Sequence, residues 1–461
     1  MKYLTVDLGS TYTKVTAIDA QNGCVLGTAN AFTTIETDVM DGFNTAMQNL
    51  EMKIGKFDYD QLICCSSAAG GLKMVALGLV PELTAKAAKM AAASAGAKVV
   101  KTYSFEISKA EQDEIYNINP DLILLCGGTD GGNKEVIVNN ARRLCDIKRN
   151  FSVIVAGNKS ASYELEEIFN KSGKDYVITH NVMPTFSKLN IEPAKESIKN
   201  LFIQKIVEAK GLSKIQELSR HEIIPTPLAV MRGCELLSKG TKKTPGIGEL
   251  LAVDLGGATT DVYSISSGRP SMSNVMVKGI IEPYSKRSVE GDLGMRYSLG
   301  SLLDEIDIEA LTETVGLEES DIREWVAKCI NNPATIADND SVENRVENIL
   351  AQHAVEIAVE RHCGMLDSVY TPVGEMYVLY GKDLSEVPYI VGIGGAIINS
   401  ASPVSILEKA KFNTLKYSYM KPKNPKYLLD KKYIFASMGL LSSIDPELAL
   451  KIMVNEIKLL E

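Results

Sequence analysis

Two short segments stand out for the chemistry their residue types allow. Val6-Asp7-Leu8-Gly9-Ser10-Thr11-Tyr12-Thr13-Lys14 is matched by Val253-Asp254-Leu255-Gly256-Gly257-Ala258-Thr259-Thr260-Asp261. In each, an apolar run delivers an aspartate, a glycine follows two residues later, and small or hydroxyl residues come next. Glycines let the main chain turn and bring its N–H groups close to anionic oxygens. Thr and Ser hydroxyls add neutral donors, and the two aspartates are hard oxygen ligands suited to Mg²⁺ or its water shell. A single turn of this kind is a weak signal, because ordinary turns favour the same residues. A second one 247 residues further on, again opening a β-rich run, makes coincidence a poor account. The pair predicts a phosphate-binding site built from two similar halves.

The elements that must position these residues read as follows. KYLTVDLG, TKVTAIDA and CVLGTANAF predict three opening strands, with a hairpin at Gln21-Asn22-Gly23. A helix over 41–55 and a buried strand around LICCSS follow. From Gly71 the texture changes to strand–helix alternation through MVALGLV, KVVKTYSF, DLILLCGG, FSVIVAGN and DYVITHNV. That alternation predicts a doubly wound parallel sheet inserted as a separate domain over 72–190. Helices are expected over 193–210 and PTPLAVMRGCELLSKG. The second repeat then supplies ELLAVDLGG, TDVYSIS and NVMVKGII as its three strands. Helices follow over 298–364, then a strand YIVGIGG, a helix near 402–411 and C-terminal helices from Phe435. The expected organisation is a first domain of 1–71 and 191–246, with 442–461 packing back on it. A second domain of 247–441 carries a helical insertion over about 298–372.

The chain has 461 residues, with 49 Lys+Arg against 58 Asp+Glu for a net charge of −9. That acidity argues against nucleic acid or an anionic membrane as the main partner. Asp7 falls too early for the apolar core of a signal peptide, and no run of 18 apolar residues follows. Eight cysteines without C-x-x-C spacing read as reduced core thiols, so a cytoplasmic setting is expected. His353 and His362, nine residues apart, suit core or surface positions better than a metal pair. Competing motifs fail. GGTDGGNK at 127–134 lacks the Gly-Lys-Ser/Thr of a P-loop, leaving a plain turn or a ligand loop at a strand end. No G-x-G-x-x-G opens a dinucleotide domain, and no Asp-x-His-x-x-Gly offers a base-off cobalamin grip. Ser66, Ser67 and Ser160 have no His and Asp placed to suggest a hydrolase triad.

The paired segments resemble the phosphate-1 and phosphate-2 loops of the actin, sugar-kinase and DnaK-type chaperone superfamily. Val391-Gly392-Ile393-Gly394-Gly395-Ala396 is similar to its adenosine loop, a strand ending in glycines before a helix N-terminus. Pro225 to Gly233 resembles the first connecting helix, Ala436–Leu441 the second, and 289–294 the segment after the second domain's opening strands. The resemblance implies an α/β fold with two actin-like (ribonuclease H-like) domains around a nucleotide cleft, and it implies ATP and Mg²⁺ as cofactors. Carried over position by position, Gly9, Ser10, Thr11, Thr13 and Lys14 would meet the phosphates from one domain. Gly256, Gly257, Ala258 and Thr259 would meet them from the other, with Gly392, Gly394, Gly395 and Ala396 toward the nucleoside. Asp7 and Asp254 would be the magnesium-side acids and Asp261 the group that orients the attacking water. One departure matters: Ile224 stands where the chaperones have a glutamate, Glu222 lies two residues away, and slow hydrolysis is expected.

Across nearly its whole length the chain resembles the MutL-type accessory proteins of glutamate (methylaspartate) mutase. VDLGSTYTKVTAID, LLCGGTDGGN, EGDLGMR and GIGGA carry that likeness. It implies a reactivating chaperone for an adenosylcobalamin-dependent mutase, exchanging damaged cobalamin for intact cofactor. Two other readings stay open: a small-molecule kinase or hydantoinase-type hydrolase, and an actin-like scaffold. A dehydratase activator with an iron–sulfur cluster is disfavoured, since Cys126 sits in an apolar strand. The oligomeric state also stays open, with a homodimer one option.

Overall fold

The apolar run at the amino end forms β1 (Lys2–Leu8), which is buried from Tyr3 onward. It pairs antiparallel with β2 (Tyr12–Asp19), and β3 (Cys24–Phe32) lies outside β2. The computed structural model describes residues 1–9, 11–34, 38–67, 73–209, 213–372 and 374–460. After the helix Val39–Ile54, β4 (Gln61–Ser66) runs parallel to β1. The chain then builds a second sheet from β5 (Lys73–Gly78), β6 (Lys98–Ser104), β7 (Leu122–Leu125), β8 (Ser152–Val155) and β9 (Tyr176–Ile178). All its pairings are parallel and the order is β6-β5-β7-β8-β9, the doubly wound arrangement. The short β10 (Ile224–Pro225) returns to the first sheet, completing the order β3-β2-β1-β4-β10.

The inserted sheet is not a separate body. Met74, Ala76, Leu122 and Leu124 share one apolar cluster with Leu4, Val6 and Leu62 of the first sheet. The helix Lys86–Ser94 makes this possible, because Ala87, Ala88, Ala91 and Ala92 are buried and small enough for close approach. Gly78 is needed at the strand end, since a Cβ there would lie 2.3 Å from the Ala85 main-chain nitrogen. The alternate residues Val75, Leu77, Ile123 and Leu125 pack on the other face against Ile115, Ala141 and Leu165 of the flanking helices. Burial on both faces is why these strands are continuous apolar runs.

The chain divides into two compact units. The first comprises Met1–Gln21, Leu26–Ala229 and Gly279–Ile281; the second comprises Asn22–Val25, Val230–Lys278 and Glu282–Glu461. In the second unit, β11 (Leu250–Leu255) pairs antiparallel with β12 (Thr260–Ile265). The predicted third strand, NVMVKGII, is corrected here. Its core, β13 (Val275–Lys278), leaves the main sheet, and β14 (Ser285–Glu290) takes the place beside β12. Four helices between Leu299 and His362 follow, ending sooner than the expected 372. β15 (Met365–Thr371) and β16 (Gly374–Tyr380) join β13 in a three-stranded sheet. β17 (Tyr389–Ile393) returns beside β11 in parallel, flanked by β18 (Lys426–Leu429) and β19 (Lys458–Leu460). The full order is β14-β12-β11-β17-β18-β19. Through β19 and the helix Pro446–Glu456, residues 442–461 belong to this unit, not to the first domain as expected.

Both main sheets thus place an antiparallel pair beside a parallel strand, the ribonuclease H-like plan that the paired segments imply. The repeat holds in register: Leu8 faces Thr13 across the first hairpin, and Leu255 faces Thr260 across the second. Among the described residues, no helix is long and apolar enough to cross a membrane.

Candidate functional site

The second hairpin turn is built to present main-chain N–H groups. Gly256 N–H donates to Thr259 O at 3.0 Å, which closes the turn. The segment after β14 then ties down the turn's carbonyls one after another. Met295 N–H donates to Gly256 O, and both Arg296 and Tyr297 N–H donate to Gly257 O. Ser298 Oγ donates to Ala258 O at 2.8 Å. In a trans peptide the next N–H points opposite its carbonyl. With these carbonyls held by 295–298, the N–H groups of Gly257, Ala258 and Thr259 point away from that segment. Such consecutive donors form an anion-binding concavity. Gly294 lets the segment come this close, because a Cβ there would meet the Ala258 carbonyl carbon at 2.5 Å.

The first hairpin repeats the turn and is braced from another side. Gly9 N–H donates to Tyr12 O at 3.0 Å, and a Cβ at Gly9 would lie 2.6 Å from that oxygen. Thr33 backs it: its hydroxyl donates to Gly9 O at 2.8 Å and its N–H to Thr11 O at 3.0 Å. Thr11 is half-buried, and Ser10 lies outside the described residues. Thr13 departs from expectation. Its side chain is fully buried and bonds Thr33 Oγ1 at 3.1 Å, so it pegs the turn from within and does not reach a phosphate. Its counterpart Thr260 is buried likewise, donating to Leu293 O.

The acids differ in their company. Asp7 is 8% exposed and its Oδ1 accepts the Thr226 hydroxyl at 2.6 Å. Cys65 Sγ donates to the same oxygen at 3.5 Å. Burial and the Asp7 charge push the Cys65 thiol well up, which keeps it a protonated donor. Lys14 Nζ stands 3.7 Å from Asp7 Oδ2. Asp254 is half-buried and directly faces Asp261 across β11 and β12. Arg287 Nε and a terminal nitrogen both donate to Asp261 Oδ1, at 2.7 and 2.6 Å. Thr259 Oγ1 donates to Asp261 Oδ2 at 3.1 Å. Asp261, expected to orient a water, therefore has partners on both oxygens. Burial opposes the Arg287 charge, but Asp261 and Tyr263 outweigh it and hold the guanidinium above its ordinary range. Thr226, Cys65 and Arg287 were invisible as site residues in the sequence. Only the Pro-Thr of the connecting helix hinted at Thr226.

The glycine turn at 392–396 borders Asp254. Gly394 has φ 86°, and a Cβ on it would meet Asp254 Oδ1 and Leu255 O, both at 2.5 Å. Gly392 and Gly394 are buried, whereas Gly395 and Ala396 are partly open. The expected helix N-terminus is only Gly395–Ile398, too short for a useful dipole. Glu222 pairs with Lys199 at 2.8 Å, while Ile224 is buried beside Cys65 in β10. The GGTDGGN loop follows β7 and is braced from behind. Asn158 Nδ2 donates to Gly132 O and Asn133 O, and Asn181 Nδ2 donates to Gly128 O. Cys126 is a buried thiol pushed far up by desolvation.

Two ribonuclease H-like sheets, each with an aspartate at the tip of its first strand and a glycine turn beyond, place the chain in the class of proteins with paired phosphate-type hairpins. The MutL protein family model matches residues 3–457, and the chain belongs to that family. It is 45% identical over 453 residues to Protein MutL of Clostridium tetanomorphum, covering 98% of each chain. Among solved structures it resembles the activator of 2-hydroxyisocaproyl-CoA dehydratase from Clostridium difficile with bound ADPNP. That likeness has 10% identity, covers 100% of both chains and has a TM-score of 0.32. A ligand-bound xylulose kinase from Lactobacillus acidophilus gives 9% identity, 100% and 93% coverage and a TM-score of 0.38. At such scores the likeness adds nothing to the sheet order itself.

Proposed function

We propose that this protein is a slow Mg²⁺-dependent ATPase that serves as a reactivating accessory protein for an adenosylcobalamin-dependent mutase. The observation that carries the ATP reading is the braced turn at 256–259, where the carbonyls of 256–258 are tied to 295–298 so that the N–H groups of Gly257, Ala258 and Thr259 point away from that segment. Backbone donors need no basic surface, which reconciles a phosphate site with a net charge of −9. Family membership supports the accessory role, through the mutase association that the sequence resemblance implies.

The residues fit a hydrated magnesium ion. Asp7 and Asp254 are hard oxygen donors on the first strands of the two main sheets, and Mg²⁺ characteristically keeps waters and takes one or two carboxylates. Asp7 and Asp254 would hold that ion, which supplies charge neutralisation for the β- and γ-phosphates. The remaining work belongs to the chain. Gly9, Thr11 and the turn 256–259 bind and orient the phosphates, Thr226 fixes the Asp7 carboxylate, and Gly395 and Ala396 border the nucleoside. Ile224 supplies no acid beside Asp7, which suits hydrolysis slow enough for timing a partner's release. Loss of the γ-phosphate then changes the contacts available to the turns and so the affinity for the mutase.

The test adds purified protein and MgATP to an inactivated cobalamin mutase and follows cobalamin exchange. Exchange should depend on ATP, and identical exchange with and without ATP sinks the accessory role. Asp7→Ala and Asp254→Ala should each abolish ADP release, and full turnover in both removes the site assignment. Stimulation of ADP release by a metabolite instead of by the mutase would turn the reading toward a kinase or hydrolase.

A further inference from the structure

The segment that braces the phosphate-type turn is itself held by the helices that follow it, and Arg296 makes both connections. Its main-chain N–H donates to Gly257 O at 2.8 Å, one of the ties that aim the N–H groups of 257–259 away from the brace. Its guanidinium is spent on the other side. Nε donates to Pro333 O at 3.2 Å and Nη2 to Thr335 O at 3.0 Å, in the loop after the helix Glu319–Asn331. Nη1 donates to Met295 O at 2.6 Å and pairs with Glu347 Oε1, also at 2.6 Å, on the helix Val342–His362. At 16% and 20% side-chain exposure, that pair is shielded from the screening that weakens surface ion pairs. The loop is firm as well: Thr335 N–H donates to Asn332 O at 2.9 Å and Ala334 N–H to Asn332 Oδ1 at 3.2 Å. Beneath this polar cross-link, Leu293 and Met295 share one apolar cluster with Trp325, Cys329 and Val346 of the helices.

We propose that Arg296 is a positioning residue that couples the helical insertion to the nucleotide site. The helices and loop of 319–362 hold its side chain, its main chain holds Gly257, and their arrangement sets how well the turn binds phosphate. The proposal rests on the ATP reading above and gives Arg296 no contact with nucleotide. Such coupling is reciprocal, so a ligand that fixes the turn also biases the insertion. Trp325, the chain's only tryptophan, is 2% exposed within that insertion and reports its packing.

The experiment displaces a fluorescent ATP analogue from the full chain with ATP and with adenosine, and follows Trp325 emission alongside. Adenosine has no phosphate for the turn to bind, so it separates a loosened turn from general damage. In Arg296→Met, ATP affinity should fall about tenfold, the size of a coupled contact network, while adenosine affinity changes less than about twofold. Arg296→Lys keeps a charge for Glu347 without the planar fork, and should recover only part of the loss. Glu347→Gln leaves the bonds to Pro333 and Thr335 in place and should weaken ATP about threefold, again sparing adenosine. In the wild type ATP should change Trp325 emission and adenosine should not, and Arg296→Met should lose the ATP response. A folded Arg296→Met with wild-type ATP affinity overturns the proposal. So does an equal loss for ATP and adenosine, or a Trp325 emission that ignores ATP in the wild type or still responds in the variant. If Arg296→Met does not fold, Glu347→Gln decides alone, and unchanged ATP affinity there overturns the coupling. A wild-type protein that binds no ATP at all overturns the ATP reading itself, which separates that failure from this one.

Discussion

The two hairpins share a turn and differ in how they carry charge. Each closes with a glycine N–H bonded to the carbonyl three residues on, at 3.0 Å in both. Opposite the strand-tip acid, however, the first places Lys14 and the second places Asp261. The first hairpin balances its acid locally with a half-exposed lysine at 3.7 Å. The second pairs two acids and recruits a buried arginine from a third strand. The backing comes from different places: Thr33 behind Gly9 and Thr11, the segment 295–298 behind 256–258. A repeated turn therefore does not mean a repeated duty. The second hairpin draws its charge balance from three strands and the first from two.

The sharpest way to break that comparison is at the glycines. A Cβ at Gly9 would lie 2.6 Å from the Tyr12 carbonyl oxygen, whereas at Gly256 the corresponding contact, to Thr259 O, is 3.2 Å. Main chain cannot move aside as a side chain can. Gly9→Ala should therefore cost about 1–3 kcal/mol of stability, and Gly256→Ala less than about 1 kcal/mol. Urea unfolding midpoints of the two variants measure the difference. Equal costs would mean that the two turns are not held as differently as their contacts indicate.

The sheets behind the hairpins should also separate by pH. Among the described residues, the buried polar side chains of the first sheet are Thr5, Asp7, Thr13, Thr16 and Ser66, none of them a base. In the second unit His362 is fully buried, its Nδ1 2.7 Å from Ser288 Oγ and its Nε2 2.9 Å from Ser264 Oγ. Burial, then the Lys286 and Lys382 charges, hold its pKa well below the usual value. The unfolded chain takes up that proton near pH 6.5 while the folded chain refuses it, so stability falls as pH drops below about 6.5, by at most about 1.4 kcal/mol per pH unit. Lys382 works in the same direction at higher pH. Burial and Lys286 push it down to about 7, against Glu282 and Glu249, so stability continues to rise above neutrality. His362→Gln should flatten the acid limb of unfolding free energy against pH between 5 and 6.5. An unchanged slope would place the acid sensitivity elsewhere.

What was legible in the sequence was whatever repeats locally. The two D-x-G turns and the strand–helix alternation of the insert announce themselves by pattern. β14 was missed because SKRSVE has no apolar alternation. Its residues are spent on buried polar partners, Arg287 on Asp261 and Ser288 on His362. β13 was misassigned because VMVK is apolar enough to resemble a core strand, yet Met276 and Val277 are exposed in a separate small sheet. Thr226 and Cys65 could not be found by spacing, since they reach Asp7 only through the parallel pairing of β1, β4 and β10. Thr13 was overread for the opposite reason. A hydroxyl in a phosphate-type motif looks like a ligand group until its burial is known.

The smallest expected effect tests the first hairpin. Lys14 is 32% exposed and stands 3.7 Å from Asp7, a partly screened pair, so Lys14→Met should change stability by less than about 1 kcal/mol. Lys14→Glu asks a different question, because it places a second acid opposite Asp7 and recreates the Asp254–Asp261 pairing without an arginine. If charge balance is what distinguishes the hairpins, Lys14→Glu should weaken Mg²⁺-dependent nucleotide affinity several-fold more than Lys14→Met. Thr226 and Cys65 keep their bonds to Asp7 in both variants, so a difference between them reports charge and not lost contacts. If the two variants titrate alike, Lys14 acts as a solvent-facing strand residue. The first hairpin would then need no cation, and, with Asp7 and Asp261 equally buried, the contrast with Arg287 would rest on the facing residue: Asp254 stands opposite Asp261, whereas no acid stands opposite Asp7.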